Sequence, residues 1–127
     1  MKIAILQVNG GIGKCIMSTV VCKQIKKQYP EAQLIVLSGY PEVFLDNPHV
    51  DRAFAFGQTQ YFYQDYIDGK DFKFFGHDPY LEAGHLLQTE HLTHTWCKML
   101  GLDLPESTSP ELFLTDRERS FFSKKFV

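Results

Sequence analysis

Residues 2–27, KIAILQVNGGIGKCIMSTVVCKQIKK, predict a buried strand, a glycine turn and a helix. Residues 2–8 form a nearly continuous apolar run, which is typical of a strand covered on both faces in a parallel sheet. The glycines that follow permit a tight turn. A helix is predicted from about Lys14 to Tyr29, and Pro30 stops it. Four apolar residues recur along it at helical spacing and should face the sheet: Met17, Val20, Val21 and Ile25.

The glycine turn is a candidate binding site. The first amides of a helix lack internal partners and carry partial positive charge, and glycine lets an anion or a sugar hydroxyl approach them. Lys14 adds a full positive charge at the same place. The residues assigned to acceptor binding are Asn9, Gly10, Gly11, Gly13 and Lys14. The alternative is that the glycines only make a short strand-to-helix connection, because such a turn by itself is a weak motif.

Composition limits the class of protein. The chain has 127 residues, 44% of them hydrophobic, which is enough for one domain with a real core. Its formal net charge of −2 offers no basic face to nucleic acid. The three cysteines lack paired spacing, which favours a reducing cytoplasm over a disulfide framework. We find no signal peptide and no run of about 20 apolar residues, so we expect a cytoplasmic protein with at most peripheral contact at the inner face of a membrane.

The rest of the chain continues an alternation of strands and helices. Further strands are predicted at 33–37, 50–56, 71–75 and 111–114, a short helix at 41–45 and a longer helix at 88–100. Thr115 and Glu118 form a capping box that begins a last helix. Four aromatic residues form a cluster: Tyr61, Phe62, Tyr63 and Tyr66. Aromatic residues at this density can stack on a sugar ring, but more commonly they pack in the core or cover a sheet edge.

This order predicts an α/β, Rossmann-like domain of three layers with a mostly parallel sheet. The last helix has little room before Val127. We therefore expect residues 1–127 to be one domain that is cut near its C-terminal end.

Three motifs resemble the N-terminal half of family 9 glycosyltransferases, the heptosyltransferase-like enzymes of lipopolysaccharide core biosynthesis. They are the GGIG turn at 10–13, KQYPEA at 27–32 and NPHVDR at 47–52. The segments at 91–102 and 110–118 agree more loosely. Each motif is weak alone, but their order and spacing make the resemblance fairly specific over residues 2 to 56.

The resemblance implies an enzyme with two facing Rossmann-like halves. The N-terminal half receives a glycan or lipid-linked saccharide acceptor, and the C-terminal half binds most of the nucleotide-sugar donor. This chain would then be the acceptor half and inactive alone. The resemblance implies no cofactor and no metal, because protein groups of the second half can neutralise the leaving diphosphate.

Lys14 departs from the family pattern. In heptosyltransferases of this family an aspartate, thought to be the catalytic base, follows the glycine turn directly. A lysine with an ordinary pKa of about 10.4 is charged at neutral pH and cannot take a proton. Either another residue is the base, or Lys14 binds an anionic acceptor, or activity has been lost and a glycan-binding module remains.

His77 and Asp78 are the substitutes for the catalytic base. They follow the strand predicted at 71–75, and open α/β sheets bind ligands beyond the carboxyl ends of their strands. The alternative is that His77, Asp78 and Pro79 form an ordinary turn, which Asp-Pro favours regardless of chemistry.

A deviant P-loop is the main rival interpretation. NGGIGKC at 9–15 resembles the Walker segment of ParA- and MinD-like ATPases. However, Asn9 stands where the signature lysine is expected, and Cys15 stands where a hydroxyl should hold Mg²⁺. A thiol is a poor ligand for that hard ion. The following strand also offers no acidic residue for a metal.

The cysteines and histidines are more simply explained as structural residues than as metal ligands or reactive groups. His91, His94 and Cys97 are spaced along one helix, whereas zinc sites usually draw ligands from several elements. Cys15 and Cys22 are most simply buried small residues. Cys15 also lies near a helix N-terminus, which raises the hypothesis of a reactive thiol.

Overall fold

The computed structural model describes residues 1–82 and 86–126. Its strands are β1 (Ile3–Val8), β2 (Gln33–Ser38), β3 (Arg52–Ala55) and β4 (Phe72–Phe75), and its α-helices are α1 (Ile12–Gln28), α2 (Leu92–Met99) and α3 (Asp116–Phe126). Short 3-10 turns cover Pro41–Phe44, Phe56–Gln58 and Pro79–Leu81, and a π-helical turn covers Tyr63–Ile67. None of the helices in these described ranges is long and apolar enough to cross a membrane.

The four strands form one parallel sheet in the order β3-β2-β1-β4. The centre of the sheet is Ile5 of β1, which lies opposite Ile35 of β2 and Phe74 of β4. The prediction of an α/β, Rossmann-like domain with a parallel sheet is therefore confirmed. The chain runs from β1 outward to β3 and then crosses back to place β4 on the other side of β1. The carboxyl ends of β1 and β4 thus flank a topological switch point, where open α/β sheets form their ligand crevice.

Both faces of the sheet are covered over β1 and β2, whereas Phe72 and Phe74 of β4 are 39% and 47% exposed. On one face α1 and α2 pack over alternate strand residues, with Trp96 of α2 and Phe75 of β4 among the largest buried side chains. On the other face Phe62 and Tyr66 lie over Ile3, Ile5, Ile35 and Leu37. The rings of Phe62 and Tyr66 lie 5.1 Å apart. The core interpretation of the aromatic cluster is confirmed for these two residues, whereas Tyr61 and Tyr63 are exposed.

Helix α1 differs in detail from its prediction. It begins at Ile12 rather than Lys14, and Met17 is only partly buried. The face turned to the core includes Cys15, Ser18 and Cys22 besides the apolar residues. The spacing of apolar residues does not predict the burial of Ser18. Its hydroxyl donates to the Cys15 carbonyl at 2.6 Å, so it keeps a hydrogen bond inside the core.

Two further predictions need correction, and one is confirmed. Residues 111–114 form no strand: Glu111 instead donates its N–H to Thr19 Oγ1 of α1 at 3.1 Å. Helix α2 begins at Leu92 rather than residue 88, because the His91 ring accepts the Thr93 N–H and caps it. The capping box of α3 is present, since Glu118 N–H donates to Thr115 Oγ1 and Thr115 N–H donates to the Glu118 carboxylate.

Candidate functional site

The switch point brings together the two segments predicted to carry function. The glycine turn follows β1, and residues 76–78 follow β4. Because β1 and β4 are neighbouring parallel strands, both segments leave the sheet at the same edge. The Lys14 ammonium lies 2.9 Å from the Asp78 carboxylate, so the binding and catalytic candidates share one ion pair.

Lys14 is a buried cation. Its side chain is only 4% exposed, although it lies in the first turn of α1. Its ammonium stands 4.9 Å from the centre of the Tyr80 ring and 5.5 Å from that of the Trp96 ring. Aromatic faces attract a desolvated cation. The carboxylate of Asp78 supplies the opposite charge that a buried ammonium requires.

Trp96 contributes its ring rather than a hydrogen bond. The side chain is 1% exposed, and its Nε1–H meets no acceptor among the described residues. An unpaired buried N–H costs about 1–3 kcal/mol. The indole at this position is therefore explained by its packing and by its face toward Lys14.

Both carboxylate oxygens of Asp78 have a hydrogen-bond partner. Oδ1 accepts the Tyr80 N–H at 3.0 Å, and Oδ2 accepts the Lys14 ammonium. Partial burial raises the pKa of Asp78, but the Tyr80 N–H and the Lys14 charge outweigh it, so that the pKa lies below its ordinary value. The group is therefore an ionised hydrogen-bond acceptor at neutral pH, and a weaker base than an ordinary aspartate. His77 is exposed in the same turn.

The glycine turn is open to solvent. Residues 9–13 are all exposed, and Asn9 accepts the Gln7 side-chain amide at 3.0 Å. Gly11 caps α1 without a side-chain hydrogen bond. Gly10 has φ +114°, and a Cβ there would lie 3.0 Å from Lys14 Cδ. Glycine at position 10 thus permits both the turn and the path of the lysine side chain.

An apolar groove adjoins the glycine turn. It has a volume of about 320 Å³ and is lined by Ile12 and Ile16 of α1, by Val43 and Leu45 and by residues 112–114, with the carboxylates of Glu42 and Glu118 also in its wall. Ile12 and Leu45 are 50% and 63% exposed. The groove meets the glycine turn only at Ile12, and its lining includes neither Lys14 nor Asp78.

The cysteines do not take part. All three are buried free thiols, and Cys15 Sγ lies 3.3 Å from Ser38 Oγ, which confirms Cys15 and Cys22 as interior residues. Burial raises the pKa of Cys97 to about 11. Within residues 1–82 and 86–126 no three acidic, histidine or cysteine side chains gather as a metal site. His91 instead caps α2.

Tyr80 and Trp96 were missed from sequence. Trp96 lies within the helix predicted at 88–100, and Tyr80 follows the turn signal at 77–79, but neither pattern marks its residue as part of a site. The turn predicted at His77, Asp78 and Pro79 is present. Its Asp78 carboxylate accepts the Tyr80 N–H, two residues further on, as in other Asx turns. No local pattern indicates that both rings converge on Lys14.

Comparison of the chain with protein-family models, curated proteins and solved structures finds no match. The case for a function therefore depends on the three sequence motifs and on the geometry at the switch point.

Proposed function

We propose that this chain is the acceptor-binding half of a nucleotide-sugar-dependent glycosyltransferase, with the switch point as its acceptor site. The observation that carries this proposal is the pairing of Lys14 and Asp78 where the exposed glycine turn meets the end of β4. The nucleotide-sugar would be a co-substrate bound mainly by a second Rossmann-like half. Both cytoplasmic location and peripheral membrane contact belong to this proposal.

The proposed chemistry is displacement at the anomeric carbon of the donor sugar. The acceptor hydroxyl oxygen attacks that carbon, the bond to the diphosphate breaks, and a base takes the hydroxyl proton. Asp78 is the proposed base and His77 the second candidate. The exposed backbone of Asn9, Gly10, Gly11 and Gly13 would bind acceptor hydroxyls. Lys14 would hold Asp78 in place.

A lipid-linked saccharide fits the surroundings of this site. The apolar groove beside Ile12 and Leu45 gives the hydrocarbon part of such an acceptor a surface to cover. The polar group of the acceptor would then lie at the glycine turn.

A glycan-binding module without transferase activity is the second candidate. The observation that favours it is the lowered pKa of Asp78, because catalysis by a general base works best with a pKa near the working pH. A P-loop is disfavoured, since Lys14 is engaged by Asp78 and is 4% exposed, whereas a phosphate-binding lysine must reach its ligand.

Calorimetry tests these candidates on the chain and on a longer version that includes any second Rossmann-like half encoded after Val127. The ligands are ATP with Mg²⁺, sugar nucleotides of ADP, UDP and GDP, and oligosaccharides. We expect oligosaccharide binding by the chain, and sugar-nucleotide binding with turnover by the extended version. Oligosaccharide binding without turnover would favour the glycan-binding module. Mg²⁺-dependent ATP binding that is lost in Lys14→Ala would refute the transferase and restore the P-loop.

A further inference from the structure

The charge of Lys14 is already neutralised in the fold. The Lys14 side chain is 4% exposed, whereas the Asp78 side chain paired with its ammonium is 38% exposed. A ligand that approaches from solvent therefore meets the carboxylate before the ammonium. An anionic group would be repelled at this point, although the sequence alone allowed Lys14 to bind an anionic acceptor.

Asp78 retains the capacity to accept further hydrogen bonds. Among the described residues each of its oxygens has one partner, Tyr80 N–H for Oδ1 and Lys14 for Oδ2. An ionised carboxylate offers about four acceptor positions. Sugar hydroxyls are donors that can occupy the remaining positions, whereas a phosphate dianion brings acceptors only.

Tyr80 adds an apolar surface next to this carboxylate. Its side chain is 37% exposed, and its ring is held over the Lys14 ammonium. Binding sites commonly combine an aromatic surface with a few well-placed polar groups. A sugar ring presents both a C–H face and hydroxyls, and so it matches this pair.

We propose that Asp78 and Tyr80 form a subsite for an uncharged sugar, bound through its hydroxyls, and that this subsite discriminates against phosphorylated sugars. This inference rests on the proposed function and specifies the chemical class of its acceptor. Lys14 is a positioning residue in this subsite, because it contacts Asp78 and is shielded from the ligand.

The test compares mannose and glucose with their 6-phosphates. Binding is followed by ligand-observed NMR and by the fluorescence of Trp96, the single tryptophan, whose ring lies 5.5 Å from the Lys14 ammonium. We expect the neutral sugars to bind at least tenfold more tightly than the phosphates. Asp78→Asn should reverse this preference, because it removes the carboxylate and leaves the Lys14 charge unmatched.

Two further variants keep the result interpretable. Lys14→Met retains the Asp78 carboxylate and should still bind neutral sugars, even if Asp78→Asn folds poorly. Asp103→Asn is the control, because it makes the same change at the other end of α1, where the Asp103 N–H donates to Gln28. It should change neither the affinity for neutral sugars nor the affinity for their 6-phosphates.

The outcomes separate this inference from the proposed function. Tighter binding of the 6-phosphates by the unmodified chain, or neutral binding unchanged in Asp78→Asn, would overturn the subsite and leave the transferase standing. Absence of binding by all four sugars would also overturn the subsite. If Mg²⁺-dependent ATP binding accompanied that absence, the proposed function would fail as well.

Discussion

The two halves of the Lys14–Asp78 ion pair should contribute unequally to stability. Asp78→Asn leaves the Lys14 ammonium in a site where its side chain is 4% exposed. Lys14→Met leaves only a carboxylate that is 38% exposed and that water can reach. A buried charge that loses its partner is far more costly than a charge that becomes hydrated.

The expected magnitudes follow from this difference in burial. Removing one partner of a buried pair costs about 3–5 kcal/mol, and the asparagine carbonyl of Asp78→Asn can still accept one hydrogen bond from Lys14. We therefore expect Asp78→Asn to lower the free energy of unfolding by about 2 kcal/mol, or Tm by about 7 °C. Lys14→Met should cost at most about 0.5 kcal/mol, because methionine fills the space between the Tyr80 and Trp96 rings.

Urea denaturation of both single variants and of the double variant measures these values. The double variant should be as stable as Lys14→Met within about 0.5 kcal/mol, because it contains no unmatched buried charge. The reasoning is refuted if Lys14→Met proves the more destabilising single change, or if the two effects simply add. Either result would mean that the ammonium is not enclosed as the structure shows.

Three other predictions concern the turn, the acid response and the thiols. Gly10→Ala should cost about 1–3 kcal/mol in urea unfolding because of φ +114°, whereas Gly11→Ala, with φ −79° and open space around the new Cβ, should change stability by less than about 0.5 kcal/mol; equal effects would contradict this. Partial desolvation raises the pKa of Asp51, but hydrogen bonds from the Lys26 ammonium and the Leu34 N–H lower it by more, so that the pKa lies below its ordinary value. Its stabilisation is thus present at neutral pH and is lost as the pH falls below about 4, so urea titrations should show a shallower acid loss in Asp51→Asn, and an unchanged slope would be evidence against the role of this contact. No thiol should react with an aromatic disulfide reagent in the native protein and all three should react after unfolding; rapid labelling of native Cys15 would instead support the reactive-thiol hypothesis.

Local patterns were enough for much of the fold. The apolar run at 3–8 and the glycine turn led to β1 and α1, and the capping box at Thr115 correctly marked the start of α3. Patterns failed where a tertiary contact replaced the local preference. Residues 111–114 have strand-like composition, but the Glu111 N–H is taken by Thr19 Oγ1 of α1, and no strand forms.

The candidate site shows the same division. Lys14 is recognisable as the residue after a glycine turn and Asp78 as a residue after a strand, because both facts depend on neighbours along the chain. That the two charges meet is a property of the folded chain, since the placement of β4 beside β1 is a choice of strand order that no local pattern encodes. The same packing brings Tyr80 and Trp96 over the ammonium. Lys14, for which the sequence left anion binding open, is therefore a buried partner of Asp78.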